Sequence, residues 1–174
     1  MLINIEHFAA KNILIFHIPP QDEEVGTVYV KQGQAAPFPL LQNILAIDGV
    51  VWILFGKGIL ALKYEQKANI DDLQALVLAE IDDEAENKQY NFGNITPYNL
   101  SDVIEAIADT LIRPTLYRDN GDIKIISCEK GNLLLRFTGH CAGCPYAQNT
   151  LNNVIIRTIN KYLPQVKTVQ MAEE

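Results

Sequence analysis

The segment at positions 139–145, Gly-His-Cys-Ala-Gly-Cys-Pro, constrains the fold of this chain more than any other feature. It holds Cys141 and Cys144 in a Cys-x-x-Cys pattern, two of the three cysteines in the sequence. An apolar, strand-like run at 133–137 precedes it, and an amphipathic run begins near Tyr146. Two thiols three positions apart on a Gly-containing turn can face one point and hold a metal, a cluster or a disulfide. The pattern therefore predicts a strand, a tight cysteine turn and a helix.

The residues at the end of this segment predict where the helix begins. Pro145 suits the first helical position, because it lacks an N–H and its φ is fixed near the helical value. Cys144 would then lie at or beside the N-cap, where unpaired N–H groups and the helix dipole favour an anion. We therefore expect this position to stabilise a thiolate, the form of cysteine that binds metal.

Composition narrows the class of partner and the compartment. The chain is 48% hydrophobic and 20% charged, with a net charge of −7, which indicates a globular, acidic protein. Nucleic acid is not an expected partner, since phosphate binding needs clustered Lys and Arg. No apolar run approaches the roughly 20 residues of a membrane span, and the first residues form no basic leader. We expect a soluble protein of a bacterial cytoplasm, with a processed mitochondrial form as the alternative; the reducing cytoplasm favours a metal or redox role for the cysteine pair.

The first half of the chain predicts a small α/β domain at 1–86, followed by a polar linker at 87–98. Strand-forming runs end at prolines or Gly-containing turns, and helical stripes begin after cap residues. The expected elements are strands at 12–18 and 27–30, a helix at 40–46, a hairpin with strands at 50–55 and 59–63, and a helix from 70 to about 81 that Asn69 caps.

The second half predicts an α-β-β-α domain at 99–174, so that the fold class is α+β, built from two small α/β domains. A helix from Leu100 is expected to end or kink at Arg113-Pro114, because proline lacks the N–H that a helix interior needs. The remaining elements are a turn at 119–122, strands at 123–128 and 133–137 joined by a turn, the cysteine loop, a helix at 146–163 and a short edge strand at 166–169.

Several of these residues together resemble a known family. The segments are Arg113-Pro114, Asp119-Asn120-Gly121-Asp122, the cysteine segment, Thr150-Leu151 and Pro164. In this order and spacing, roughly from 100 to 169, they resemble the C-terminal domain of NifU, the Nfu domain. Residues 39–63 resemble the Nfu N-terminal domain more weakly, since the Thr-Pro-Asn-Pro-Asn-like segment usual near its start is absent. The two-domain order is similar to that of Nfu-type iron–sulfur cluster carriers.

The resemblance implies a carrier that binds a labile [4Fe–4S] cluster through Cys141 and Cys144 and passes it to apo-proteins, after an upstream scaffold supplies it. A cubane cluster takes four thiolates, and Cys128 is interpreted as a small core residue of a strand. One chain therefore offers two ligands, and the prediction is a cluster shared by two copies of the chain. A [2Fe–2S] cluster accepts four thiolates as well and stays open.

Two positions depart from the family pattern. Asn120 stands where the family usually has the first Gly of Asp-Gly-Gly-Asp. Asn is the mildest replacement if that position has a positive φ, so we expect the turn to survive. Tyr146 stands where a small residue, often Ser, is common, and it adds bulk beside the cysteines.

Two other functions use the same cysteine pair. A thiol–disulfide oxidoreductase would place Cys-x-x-Cys before a helix, although the βαβ order expected before that motif is missing. A structural zinc site would ligate the same thiolates, and zinc would also bind during purification. No catalytic constellation is visible, so the sequence predicts a non-enzyme.

The remaining candidates have ordinary interpretations. His140 is expected to point away from Cys141 on an extended segment, and His7 and His17 to be common surface or core residues. Three further charged residues could orient the site but are interpreted as surface turn charges: Arg113, Arg118 and Asp122.

Overall fold

A computed structural model of the chain describes residues 2–19, 26–87 and 99–173. The chain divides into two units, Met1–Tyr98 and Asn99–Glu174. The predicted linker at 87–98 lies outside the described residues, except for Asn87, which ends a helix. Within the described ranges, no helix has the length and apolar character needed to cross a membrane.

In its described residues, the first unit is a five-stranded antiparallel sheet with two α-helices and a short 3-10 turn at Ala9–Lys11. The strands are β1 (Asn4–Phe8), β2 (Ile13–His17), β3 (Val28–Lys31), β4 (Val50–Gly56) and β5 (Ile59–Tyr64), in the order β1-β2-β5-β4-β3. The helices are α1 (Pro39–Leu45) and α2 (Ile70–Asn87). Strand β1 was not predicted from the sequence; it pairs antiparallel with β2 at the edge of the sheet.

Local chemistry explains most of these boundaries. The β4–β5 hairpin turns at Lys57 and Gly58, both with positive φ, which suits a tight two-residue turn. Asn69 caps α2, because its Oδ1 accepts hydrogen bonds from the backbone N–H groups of Asp71 and Asp72 at 3.1 and 3.3 Å. The helix extends to Asn87, beyond the predicted end near 81.

The second unit is a three-stranded sheet with helices before and after its hairpin. Strands β6 (Gly121–Glu129) and β7 (Asn132–Gly139) form the predicted antiparallel hairpin, and β8 (Thr168–Met171) pairs parallel to β7. The preceding helix comprises α3 (Leu100–Ile107), a π-helical turn at Ala108–Ile112 and α4 (Arg113–Tyr117). The following helix comprises α5 (Ala147–Thr150), a π-helical turn at Leu151–Ile156 and α6 (Arg157–Tyr162). The α+β fold class is confirmed.

The sequence predicted that the helix ends or kinks at Arg113-Pro114. The helix does not end there but continues to Tyr117, after a π-helical turn that interrupts its regular hydrogen bonds. The π-helical turn accommodates the proline: the N–H of Arg113 bonds to the carbonyl of Ala108, five residues back, so the ladder is already interrupted where Pro114 lacks its donor.

The predicted helix boundary after the cysteines is wrong. The helix begins at Ala147 with Tyr146 as N-cap, so Pro145 is not its first residue and Cys144 is not its cap. The chain between β7 and α5 is instead a series of tight turns. In one of them the N–H of Cys144 bonds to the carbonyl of Cys141 at 3.3 Å.

Candidate metal centre

Short backbone hydrogen bonds shape the loop that carries the two cysteines. The N–H of Ala142 bonds to the carbonyl of Gly139 at 3.1 Å, and the N–H of Ala147 bonds to the carbonyl of Cys144 at 3.0 Å. Gly139 and Gly143 have positive φ, which glycine adopts without strain. Both thiols are free and partly exposed. The loop therefore presents two available thiols on a constrained backbone.

A pair of glycines at the end of the hairpin places Cys141. Gly121 and Gly139 are register partners on β6 and β7. A Cβ built on Gly121 would lie 1.9 Å from Sγ of Cys141, so the sulfur occupies the space that any other residue would fill. A Cβ on Gly139 would lie 2.6 Å from the carbonyl oxygen of Asn120, which also accepts the N–H of His140 at 3.1 Å. The turn before β6 and the cysteine loop after β7 are thus in contact at Gly121 and Gly139, where a larger side chain would not fit.

The departure at Asn120 leaves this turn intact. Asn120 has a φ of +55°, the left-handed conformation for which the family pattern supplies glycine. Asparagine tolerates this conformation better than other side chains do. The expectation that the turn survives the replacement is confirmed.

Arg113 is not a surface charge, and that interpretation of the sequence is wrong. Its side chain is only 7% exposed and donates from Nε to Oδ1 of Asp122 at 2.9 Å. Nη1 donates to Glu105 and Asp109, each at 2.8 Å, and Nη2 donates to the carbonyl of Ile123 at 2.9 Å. The guanidinium therefore links the helix formed by α3 and α4 to the start of β6, next to Gly121.

The charges of this network explain the state of Arg113. Burial alone would lower the pKa of Arg113, but hydrogen bonds and charges from Glu105, Asp109 and Asp122 raise it above its ordinary value. The arginine is a permanent cation facing three carboxylates. Asp122 also accepts the N–H of Ile123 at 2.7 Å and the hydroxyl of Tyr117 at 3.3 Å.

The surroundings of Cys141 favour the neutral thiol. Burial raises the pKa of Cys141, and the negative charges of Cys144, Asp119 and Asp122 raise it further. The sequence predicted that a helix start at Cys144 would stabilise a thiolate, but the helix begins at Ala147, three positions later. A metal cation that binds here must displace the proton, and its positive charge then offsets the negative neighbours.

A cavity of about 490 Å³ opens beside the thiols, between the end of α4 and the start of α5. Its lining residues are Thr115, Leu116, Asp119, His140, Cys141, Cys144, Tyr146, Ala147, Thr150 and Val154. Tyr146 at its rim is 69% exposed, and His140 also lines the cavity. The cavity is therefore bounded by the cysteine loop and by the helices that precede and follow the hairpin.

The other candidate residues lie apart from this site. Cys128 pairs with Leu133 at the turn end of the β6–β7 hairpin, seven positions along β6 from Gly121 or roughly 23 Å. It is partly exposed rather than a core residue, although burial raises its pKa. His7 bonds to the hydroxyl of Tyr64 and His17 to Glu6, each at 2.6 Å.

The site therefore supplies half of a tetrathiolate shell. In the described part of the chain, no group of three or more His, Cys, Asp or Glu side chains could hold a metal ion. The donors that fit soft metals and iron–sulfur clusters are Cys141 and Cys144. Two more thiolates must come from another molecule if the shell is to be complete.

The glycine pair, the buried arginine and the cysteine loop all fall within one matched segment. Residues 104–170 match the family model described as NifU-like domain.

The second unit of this chain is a NifU-like domain.

The resemblance inferred from the sequence is thereby confirmed. Among curated relatives, the chain is 28% identical over 142 residues to "NFU1 iron-sulfur cluster scaffold homolog, mitochondrial" of Drosophila grimshawi, covering 76% of this chain and 48% of that protein. It is 27% identical over 185 residues to "NifU-like protein 4, mitochondrial" of Arabidopsis thaliana, covering 98% of this chain and 65% of that protein. The chain spans about half the length of most curated relatives that it matches.

A solved structure shows a slighter likeness. Protein SAV1430 of Staphylococcus aureus superposes with a TM-score of 0.40 at 19% identity, covering 47% of this chain and 99% of that one. This likeness is too small to bear on the fold or the function of the NifU-like domain.

Proposed function

We propose that this chain is an iron–sulfur cluster carrier, which holds a labile [4Fe–4S] cluster between two copies through Cys141 and Cys144 and passes it to apo-proteins. The observation that carries the proposal is the pair of free thiols on one loop at the rim of a cavity. The names of the relatives, an iron–sulfur cluster scaffold among them, support the same assignment.

Ligand number leads to the two-copy arrangement. A [4Fe–4S] cubane takes four thiolates, and one copy offers two in the cysteine loop. Two copies related by a two-fold axis complete the shell with identical halves. The cluster is then cargo at a seam between two molecules, which suits a protein that must release what it binds. A [2Fe–2S] cluster fits the same four thiolates and is the alternative cargo.

The environment of the thiols favours a carrier over the other functions of a Cys-x-x-Cys pair. A thiol–disulfide oxidoreductase needs a thiolate of lowered pKa as its nucleophile, whereas burial raises the pKa of Cys141. A closed structural zinc site has no need of an adjoining cavity of about 490 Å³. We therefore propose a carrier without catalytic activity of its own.

Partners and compartment follow from this role. The proposed partners are a second copy of the chain while the cluster is bound, apo iron–sulfur proteins as recipients, and an upstream scaffold as donor. The proposed compartment is a reducing one, a bacterial cytoplasm or a mitochondrial interior, since the site needs free thiols. The relatives in Drosophila grimshawi and Arabidopsis thaliana are named mitochondrial.

Anaerobic reconstitution with ferrous iron and sulfide tests the proposal. We expect a broad absorbance band at about 400 nm and about four irons per dimer. Cys141→Ala and Cys144→Ala should each abolish the band, whereas Cys128→Ala, the matched control on β6, should leave it unchanged. A second measurement follows transfer of the cluster to an apo-enzyme whose activity depends on it.

The alternatives give different results in the same experiment. A colourless protein of unchanged mass contradicts the carrier, and stable zinc binding whose removal unfolds the domain would then identify a structural site. A full cluster in Cys141→Ala contradicts the assignment of the ligands.

A further inference from the structure

Tyr146 is an exposed aromatic side chain at the rim of the cysteine cavity. It lies two positions after Cys144 and is 69% exposed. Its backbone is fixed, because its carbonyl accepts the N–H of Thr150 at 3.0 Å as the helix begins. A large ring on a fixed backbone is thus presented to solvent beside the two thiols.

The cavity beside this ring is larger than the space that the thiols of Cys141 and Cys144 require. One wall comes from α4, with Thr115 and Leu116, and the other from the following helix, with Thr150 and Val154. This part of the lining is largely apolar, and the volume of about 490 Å³ exceeds that of a single aromatic side chain several times over. A projecting ring and a receptive apolar cavity therefore lie side by side on one surface.

We propose that Tyr146 and this cavity form a self-complementary surface for a second copy of the chain, in which the Tyr146 ring of each copy enters the cavity of the other. This inference rests on the proposed function, because the shared cluster brings the two loops together. In a two-fold interface each patch meets its own copy, so a ring and a cavity on the same patch both find a partner.

The chain length between cysteine and tyrosine makes this contact feasible. Two residues span at most about 7 Å, so Tyr146 stays close to the sulfur of Cys144 wherever that sulfur binds. Four sulfurs around one compact cluster then bring the Tyr146 of one copy to the mouth of the cavity of the other. Aromatic anchors in pockets supply much of the energy of protein interfaces and exclude water from their neighbours.

The Tyr146 ring at this interface would also affect how fast the cluster is released. The ring would close the seam around the cluster and slow its loss to water and small chelators. This chain is therefore expected to hold its cargo longer than its Tyr146→Ser variant does.

The test uses the full chain loaded anaerobically with ferrous iron and sulfide. Tyr146→Ser removes the ring, Tyr146→Phe keeps it, and Leu76→Ser is the matched control, since Leu76 is an apolar side chain 52% exposed on α2 of the first unit. Sedimentation equilibrium measures the dimer dissociation constant of the loaded protein. The decay of its visible absorbance with a ferrous chelator measures cluster release.

The expected result is a dimer dissociation constant raised roughly tenfold or more in Tyr146→Ser, with release faster by a similar factor. Tyr146→Phe and Leu76→Ser should behave as the unmodified chain, and thermal unfolding of the apo-protein should be the same in all variants. A loaded Tyr146→Ser protein with unchanged dissociation and release overturns this inference and leaves the carrier function standing. A loaded protein that is a monomer also overturns it, and a chain that takes up no cluster overturns both proposals.

A second variant tests the contact itself. Thr115 is exposed on the opposite wall of the cavity, and Thr115→Gln narrows the cavity without adding charge. We expect Thr115→Gln to weaken the loaded dimer, and the double variant with Tyr146→Ser to be no weaker than the more affected single variant. Strictly additive effects would show that the ring and the cavity do not meet.

Discussion

Replacing Gly121 by alanine should abolish the proposed metal site while leaving the fold in place. The new Cβ would lie 1.9 Å from Sγ of Cys141 and 3.0 Å from its Cβ. Carbon and sulfur atoms that are not bonded stay about 3.5–4.0 Å apart, so the sulfur must move by roughly 2 Å. Metal sites tolerate ligand displacements of about 0.2 Å. The displacement is therefore about ten times what the ligand geometry allows.

The cost to folding should be small by comparison. Gly121 has no positive φ, so alanine adopts its backbone conformation without strain. The residue that must move is Cys141, on a partly exposed loop rather than in the core. We expect the free energy of unfolding of the apo-protein to change by no more than about 1 kcal/mol.

The assay combines urea unfolding of the apo-protein with anaerobic iron and sulfide reconstitution. Gly26→Ala is the matched control, because a Cβ there meets nothing within 4 Å and the backbone has no positive φ. We expect Gly121→Ala to unfold at nearly the urea concentration of the unmodified chain and to retain less than about a tenth of its iron. Full iron uptake by Gly121→Ala would refute the argument that this glycine positions the ligand.

Three further predictions concern stability. Arg113→Met should lower the free energy of unfolding by about 2–3 kcal/mol, since the partly exposed carboxylates of Asp109 and Asp122 lose their hydrogen bonds to a buried cation. Arg118→Met, at an exposed position, should change it by less than about 0.5 kcal/mol, and urea denaturation distinguishes the two variants. Asn69→Ala should cost about 1 kcal/mol in the same assay, because two N–H groups of α2 lose their acceptor, and an unchanged midpoint would contradict the cap. Burial raises the pKa of Tyr162, so the stability that its neutral form provides is present below about pH 10 and is lost as the pH rises through the folded-state value. Tyr162→Phe should flatten the decline of the urea midpoint above about pH 10, and an equally steep decline would contradict this cause.

Local patterns in the sequence were sufficient for much of the fold. The turns of the two hairpins that the sequence predicted, Lys57-Gly58 and Lys130-Gly131, have the positive φ values that tight turns need. Asn69 and Asn99 cap their helices through their side-chain oxygens. These features depend on residues within a few positions of one another, so a single sequence contains the information that specifies them.

The wrong predictions involve partners that are distant along the chain or interactions that compete locally. Strand β1 exists because it pairs with β2, and its own sequence carries only a weak apolar alternation. Pro114 would end an isolated helix, but a π-helical turn and the packing of α4 on β6 keep the helix going. The side chain of Arg113 is buried because carboxylates from α3 and β6 converge on it.

The sequence by itself identified the candidate ligands, and the tertiary structure decided where those groups stand. Cys141 and Cys144 are recognisable as a candidate ligand pair from their spacing, because three positions on a glycine turn can bring two sulfurs together. The space for Cys141 is different, since it comes from Gly121, twenty positions earlier and adjacent only after β6 and β7 have paired. The neutral state of that thiol and the cavity beside it likewise arise from groups that folding brings together, which no local pattern can show.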